Sequence, residues 1–149
     1  MILVDADACP VKDEVLRVAA RHAVPVTFVA ATWMRIAEGE RVRLEVVPQG
    51  FDAADDRIAE LAGVGCIVVT ADIPLASRCL AKGAQVLGTT GRPFTEDNIG
   101  EVMATRALLA DLRAAGEPTR GPAPFTARDR SRFLQELDRM VHVARRMAG

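Results

Sequence analysis

Five carboxylates stand out as residues able to do chemistry. Asp5 and Asp7 flank a single alanine in Asp5-Ala-Asp7-Ala-Cys9-Pro10, with only small residues around them. If the chain stays extended through Ala6, both side chains project to the same side. Like charges held that close repel, so a cation or a shared proton must offset the cost. Hard cations such as Mg2+ or Mn2+ take oxygen ligands and keep several waters. Asp55-Asp56 follow Asp52 at a helix start, and Asp72 lies in Thr70-Ala-Asp72-Ile-Pro74. Each acid has a competing structural role. Asp5 or Asp7 can cap the first helix, Asp52 and Asp55 can satisfy the start of the second, and Asp72 can cap a helix before Pro74. Asp56 has no such task, and the sequence leaves Asp55 and Asp56 as equal candidates.

The elements that must position these acids are legible from periodicity. Residues 1–5 form a short apolar run ending in Asp, as a buried parallel strand does. Pro10 opens a helix to about His22, with Val11, Val15, Leu16, Val18 and Ala19 as its apolar stripe. Val24 to Ala30 and Leu44 to Val47 read as strands. Asp52 is the expected N-cap of a helix through Leu61. Cys66 to Val69 is another buried strand, followed by a helix over Leu75 to Lys82 that Gly83 closes. Gln85 to Leu87 is a last short strand. Thr95 caps a long helix to about Ala115, in which Arg106 falls on the spacing of Ile99, Val102, Met103 and Leu109. A cation on that stripe snorkels or pairs with a carboxylate, the acidic rim being one source. Residues 116–124 form a Pro/Gly linker, and Thr126-Ala-Arg-Asp129 begins a final basic helix over about 126–147 with a capping-box pattern. Strands alternating with helices predict one α/β domain of three layers over residues 1–149, a mostly parallel sheet flanked by helices. In such a sheet ligands bind at the carboxyl ends of the strands, where Asp5, Asp7 and Asp72 fall.

Composition narrows the function classes. The chain has 149 residues, 50% of them hydrophobic and 26% charged, enough to bury a core without disulfides. Aromatics are only 4%, with no Tyr and one Trp, which disfavours RNA recognition by a multi-aromatic sheet surface. Cys9, Cys66 and Cys79 show no paired spacing and read as free thiols in a reducing, cytoplasmic setting. No apolar run reaches membrane-spanning length, and the start of the chain is too short and acidic for a signal peptide. Cys9 has no His in an obvious nucleophile motif, and His22 and His142 read as structural or exposed. Net charge is −1, but residues 113–149 carry eight Arg against four acids, while residues 1–112 are acidic. Arg128, Arg130 and Arg132 of that basic arm are candidate contacts to a phosphate backbone, with a solvated helix face as the alternative. Lys12 and Arg17 on the first helix are weighed the same way.

Together these segments closely resemble the YaiI/YqxD family of bacterial proteins. The matching stretches are VDADACPVK (Val4–Lys12), GFDAADDRIAE (Gly50–Glu60) and VVTADIPLA (Val68–Ala76). KGA (Lys82–Ala84), Asn98-Ile99 with Arg106, and GPAPFTARDRSRF (Gly121–Phe133) extend the match across nearly the whole chain. One position departs: the family carries an Arg-Gly pair after the last strand, where this chain has Thr90-Gly91 with Arg92 following. Arg92 is the candidate substitute for that phosphate contact. The family is grouped with PIN-like domains, whose active members are metal-dependent nucleases. The resemblance implies a PIN-like fold in which Asp5, Asp7, Asp55 or Asp56, and Asp72 match the acidic cluster.

Three functions compete. In a Mg2+- or Mn2+-dependent ribonuclease or other phosphodiesterase, Asp5, Asp7 and Asp72 hold metal that activates water and stabilises an in-line transition state. A phosphatase of the haloacid-dehalogenase type also begins with a strand ending in Asp-x-Asp, Asp5 being the nucleophile. Its remaining residues are in the wrong order here, because Asp55-Asp56 precede Thr70 and Lys82. The third is a non-catalytic module that binds metal or nucleic acid.

Overall fold

The short apolar runs become strands, and their alternation decides which helix each side chain meets. The computed structural model describes residues 1–37, 39–48, 50, 52–118 and 124–148. Its elements run β1 (Ile2–Asp5), α1 (Lys12–His22), β2 (Val26–Ala30), β3 (Val42–Val46), α2 (Ala53–Leu61) and β4 (Ile67–Val69). They continue with α3 (Ile73–Ala81), β5 (Gln85–Leu87), β6 (Pro93–Phe94), α4 (Glu96–Ala114) and α5 (Ala127–Ala148). The sheet order is β3-β2-β1-β4-β5-β6, parallel except for β6, which pairs antiparallel with β5. From β1 the chain winds outward to β3, then crosses back to lay β4 on the other side of β1. That reversal makes the carboxyl ends of β1 and β4 a topological switch point, the usual ligand crevice of an open α/β sheet.

Side-chain parity separates two cores. Ile2 and Val4 of β1, Phe28 of β2 and Val69 of β4 face α1 and α5, where Val15, Phe133 and Leu137 complete the layer. Leu3, Val29, Val68 and Val86 face the opposite way, onto Ile58 and Ala59 of α2 and Leu75, Ala76 and Cys79 of α3. The inner strands β1, β2 and β4 thus bury both faces and read as largely continuous apolar runs, whereas the edge strand β3 alternates, with Arg43 and Glu45 between Val42, Leu44 and Val46. The result is the three-layer α/β arrangement expected of a PIN-like domain.

Polar contacts set the helices on their layers. On one side, Arg130 of α5 donates to both oxygens of Glu14 on α1, at 2.6 and 3.0 Å, with Glu14 only 7% exposed. His22 and Arg21 both meet Asp138 of α5, at 2.8 and 3.4 Å. On the other, Arg78 of α3 pairs with Asp56 at 2.9 Å, and Lys82 donates to the Ala59 carbonyl at 3.0 Å. Arg57 anchors α2 to Glu45 of β3 at 2.6 Å.

Several boundaries differ from the sequence expectation. Helix α1 begins at Lys12 rather than Pro10, with Val11 at the N-cap and no side-chain cap at all, so neither Asp5 nor Asp7 caps it. Asp52 does occupy the N-cap of α2, but in a left-handed conformation (φ 63°) whose side chain makes no cap bond. Strand β6 is too short to show a period in the sequence. Caps at Asp72, Thr95 and Thr126 form as expected, the last as a reciprocal pair with Asp129 at 3.1 Å. No described residue of α4 is buried and Arg106 is exposed, so it needs no carboxylate partner from the rim. Of the Pro/Gly linker over 116–124, residues 119–123 lie outside the described residues. Among the described residues no helix is long and apolar enough to cross a membrane.

Candidate functional site

Register brings the first pair together. Val4 of β1 is paired with Val69 of β4, so Asp5 and Thr70 stand side by side where the two strands end. Parity turns both away from α1 and α5, toward α2 and α3. There the Thr70 hydroxyl donates to Asp5 Oδ2 at 2.8 Å and accepts from the Asp72 backbone N–H at 3.0 Å. Asp72 in turn caps α3, its Oδ1 accepting from the Leu75 N–H at 3.0 Å. One oxygen of Asp72 is committed to the helix, so capping and a role at the rim coexist rather than exclude each other.

Asp55 joins from α2. It is half-buried, while its neighbour Asp56 is exposed and engaged by Arg78. Burial pushes the Asp55 carboxyl up to about 6, and the charges of Asp72, Asp5 and Asp52 add to the effect against the opposing Arg78. Asp5 is also pushed up, first by burial and then by the charges of Asp72 and Asp7, with the Thr70 hydrogen bond opposing. These carboxylates feel one another. Asp56 is tied to Arg78 across α2 and α3, while Asp55 is the one of the pair whose carboxyl feels the charges of Asp72 and Asp5.

Asp7 behaves differently from the expectation that it would project beside Asp5. Ala6 continues the ladder through its N–H to Val29, but the chain then turns, and Ala8 takes a left-handed φ of 58°. The Asp7 carboxylate accepts from the Ala31 N–H at 2.8 Å, which directs it toward the end of β2. Asp5 reaches toward β4 and Asp7 toward β2, so the two diverge.

The basic candidates also divide. The amino end of α5 lies at this same rim. Arg130 donates to the Pro10 carbonyl at 3.0 Å, and a Cβ on Gly91 would come within 2.7 Å of the Arg132 backbone. Arg130 is occupied by Glu14 and lies over the Phe125 ring at 5.0 Å, so its role is to hold α5 on α1. Arg128 and Arg132 are exposed, and so is Arg92, on the turn between β5 and β6. Lys12 is bent back onto the Cys9 carbonyl at 2.9 Å. Cys9 is buried in the α1/α5-side core, and burial pushes its thiol up, with the charges of Asp5 and Glu14 adding to the effect. Lys82 sits at the C-cap of α3, next to the amino end of β5, remote from Asp5.

A divalent ion is tested by the donor set. All the acids at the rim are hard oxygen donors, which suits Mg2+ or Mn2+ and not a soft metal. Yet among the described residues no group of three or more His, Cys, Asp or Glu side chains is arranged to hold a metal ion together. The donor set would leave an ion held through one or two carboxylates with water in its other positions, the habit of Mg2+. It does not fit a closed three-carboxylate chelate.

Glu14 and the Ala31 amide escaped the sequence reading. A glutamate in the first turn of a helix reads as dipole compensation, and a backbone donor carries no residue-type signal.

Comparison with known proteins agrees with the sequence resemblance. Residues 3–143 match the family described as "Uncharacterized BCR, YaiI/YqxD family". The chain is 54% identical over 146 residues to UPF0178 protein amb2838 of Paramagnetospirillum magneticum, covering 98% of this chain and 97% of that relative. It is 56% identical over 149 residues to UPF0178 protein RC1_2062 of Rhodospirillum centenum, covering 97% of each. No solved structure gives a significant match.

Proposed function

The chain belongs to the YaiI/YqxD family, and we propose that its carboxyl rim supports divalent-metal-dependent hydrolysis of phosphodiesters, with RNA the favoured substrate. The observation that carries this is the placement of Asp5, Asp72 and Asp55 where β1 and β4 end, with Asp5 and Asp72 joined through the Thr70 hydroxyl and the Asp72 charge adding to the upward push on both Asp5 and Asp55. A protein tolerates such mutual repulsion at the switch point of an α/β sheet most readily when a cation relieves it. One or two of Asp5, Asp55 and Asp72 would hold Mg2+ or Mn2+, with Asp7 a further candidate from the β2 side. When bound, the ion supplies Lewis acidity toward a phosphoryl oxygen and a more acidic water.

The chain's own residues have separable tasks. Thr70 fixes the rotamer of Asp5 and, through the Asp72 N–H, the start of α3. Arg128 and Arg132, on the α5 side of the rim, and Arg92, on the turn beside it, give a basic lip opposite the acidic one. A phosphate backbone lying between the lips meets charge of the right sign on one side and the metal on the other. The free cysteines Cys9, Cys66 and Cys79 suit a reducing, cytoplasmic setting.

A second reading, a module that binds metal or nucleic acid without cleaving it, is favoured by the commitment of Asp7 and Asp72 to the Ala31 and Leu75 N–H groups. Calorimetric titration of Mn2+ into wild type and the Asp5→Asn/Asp72→Asn variant, followed by incubation with a labelled single-stranded oligoribonucleotide, separates the readings. Binding and cleavage that the double change removes are the expected result. Binding of both ligands without cleavage selects the module, and wild type that binds no Mn2+ at millimolar concentration overturns the metal site.

A further inference from the structure

We propose that Trp33 is a base-stacking platform that seats one nucleobase of a single-stranded substrate beside the acidic rim; this inference rests on the nucleic-acid reading above. The chain has one Trp and no Tyr. Of its phenylalanines, Phe28 and Phe133 are fully buried and Phe94 and Phe125 partly so. Trp33 is 74% exposed, the opposite of what hydrophobicity alone dictates for so large an aromatic.

Its exposure is built rather than incidental. Residues 33–37 lead away from the end of β2 in alternation: Met34 and Ile36 pack inward against the α1-side core, while Trp33 and Arg35 point outward. Two anchored side chains thus hold an indole and a guanidinium on one side of the strand-like segment. An indole face accepts any base by stacking, and an adjacent arginine meets the phosphate that accompanies it. The two residues line a cleft of about 1090 Å³ whose floor includes Val42 and Leu44 of β3.

Continuity with the site comes from Asp7. Its carboxylate holds the Ala31 N–H at 2.8 Å, two residues before Trp33. Two residues of extended chain span at most about 7 Å, so the Trp33 backbone lies within one such step of the residue that Asp7 grips. Trp33 thus follows the carboxyl end of β2 on the α1 side of the sheet, and a strand running to it from Asp5 and Asp72 would cross the rim at Asp7. One aromatic reads no sequence, so recognition would favour unpaired strands over duplexes rather than a particular base.

Because Trp33 is the only Trp, its fluorescence reports this contact alone. The full chain is titrated, in chelator so that cleavage does not consume the strand, with a fluorescently labelled single-stranded oligoribonucleotide, an abasic strand of equal length, and a duplex. Tryptophan emission and the anisotropy of the label are followed together. The expected result is quenching that saturates with the anisotropy for the single strand, and is absent for the abasic strand and the duplex. Trp33→Ala should lower single-strand affinity roughly 5- to 150-fold, the span of one base–aromatic stack. Trp33→Phe should retain most of it, and both variants should melt near wild type because the side chain is exposed.

Oligonucleotide binding with unchanged emission, and equal affinity in Trp33→Ala, would overturn the platform while leaving the nuclease reading intact. Emission that varies with protein concentration in the absence of oligonucleotide would overturn it in favour of a second copy of the chain in the cleft. A protein that binds Mn2+ but no oligonucleotide would overturn both the platform and the nucleic-acid reading, sparing the metal site.

Discussion

Thr70 and Asp5 end neighbouring parallel strands, and the hydroxyl of the first donates a 2.8 Å hydrogen bond to the carboxylate of the second. The same hydroxyl accepts the Asp72 N–H at 3.0 Å, so one oxygen couples two of the acids at the rim. Thr70→Val keeps the shape and removes both bonds. Loss of a support to a metal-ligating carboxylate costs about 10- to 100-fold in affinity, so Mn2+ binding by calorimetry should weaken by that order. Folding stability should fall by about 1–2 kcal/mol in urea unfolding.

Asp55 and Asp56 are adjacent in sequence but divided in task. Asp55→Asn should reduce Mn2+ affinity at least about tenfold, as loss of a ligand or its support does. Asp56→Asn should leave affinity within about twofold, because its exposed pair with Arg78 is worth only about 0–1 kcal/mol to the fold. Equal effects of the two changes would remove Asp55 from the site.

The metal-free protein should have an unusual pH dependence. Folding raises the Asp55 carboxyl from 3.8 to about 6, so the native state binds more protons than the unfolded state between those values. Stability contributed by the protonated form is then full below pH 4 and is lost as pH rises through 6. Asp55→Asn should raise Tm by roughly 1–3 °C at pH 7.5 and have less effect at pH 4. Calorimetric melting at the two pH values in chelator checks the sign.

Arg130 should act on stability and not on substrate. Arg130→Met leaves Glu14 with no cationic partner in a nearly buried position, a change that costs about 3–5 kcal/mol for a fully buried pair and somewhat less here, because Arg130 is half exposed. Adding Glu14→Met should recover much of the loss. By contrast Arg128→Ala/Arg132→Ala should leave stability nearly unchanged and lower the salt dependence of oligonucleotide binding by about two phosphate contacts.

Gly91 should tolerate no side chain. It holds a φ of 88° and lies where a Cβ would meet the Arg132 backbone at 2.7 Å. Gly91→Ala adds left-handed strain and a backbone clash, and about 2–4 kcal/mol of destabilisation is expected from urea unfolding.

Much of this protein was legible in the sequence because short-range physics wrote it there. Continuous apolar runs marked strands buried on both faces, and Thr95, Thr126 and Asp72 announced helix starts through their own hydrogen-bonding groups. Alternation of strands and helices then required a mostly parallel sheet, which put Asp5, Asp7 and Asp72 at one rim. Register, side-chain parity and tertiary pairing decided the rest. Parity on β1 and β4 sent Asp5 and Thr70 to the α2/α3 side, while a left-handed turn at Ala8 led Asp7 away toward β2. Arg78 paired with Asp56, and Glu14 with Arg130. Such choices join residues as many as 116 positions apart. No local pattern encodes them, because an ion pair of this kind exists only once packing has brought its two partners together.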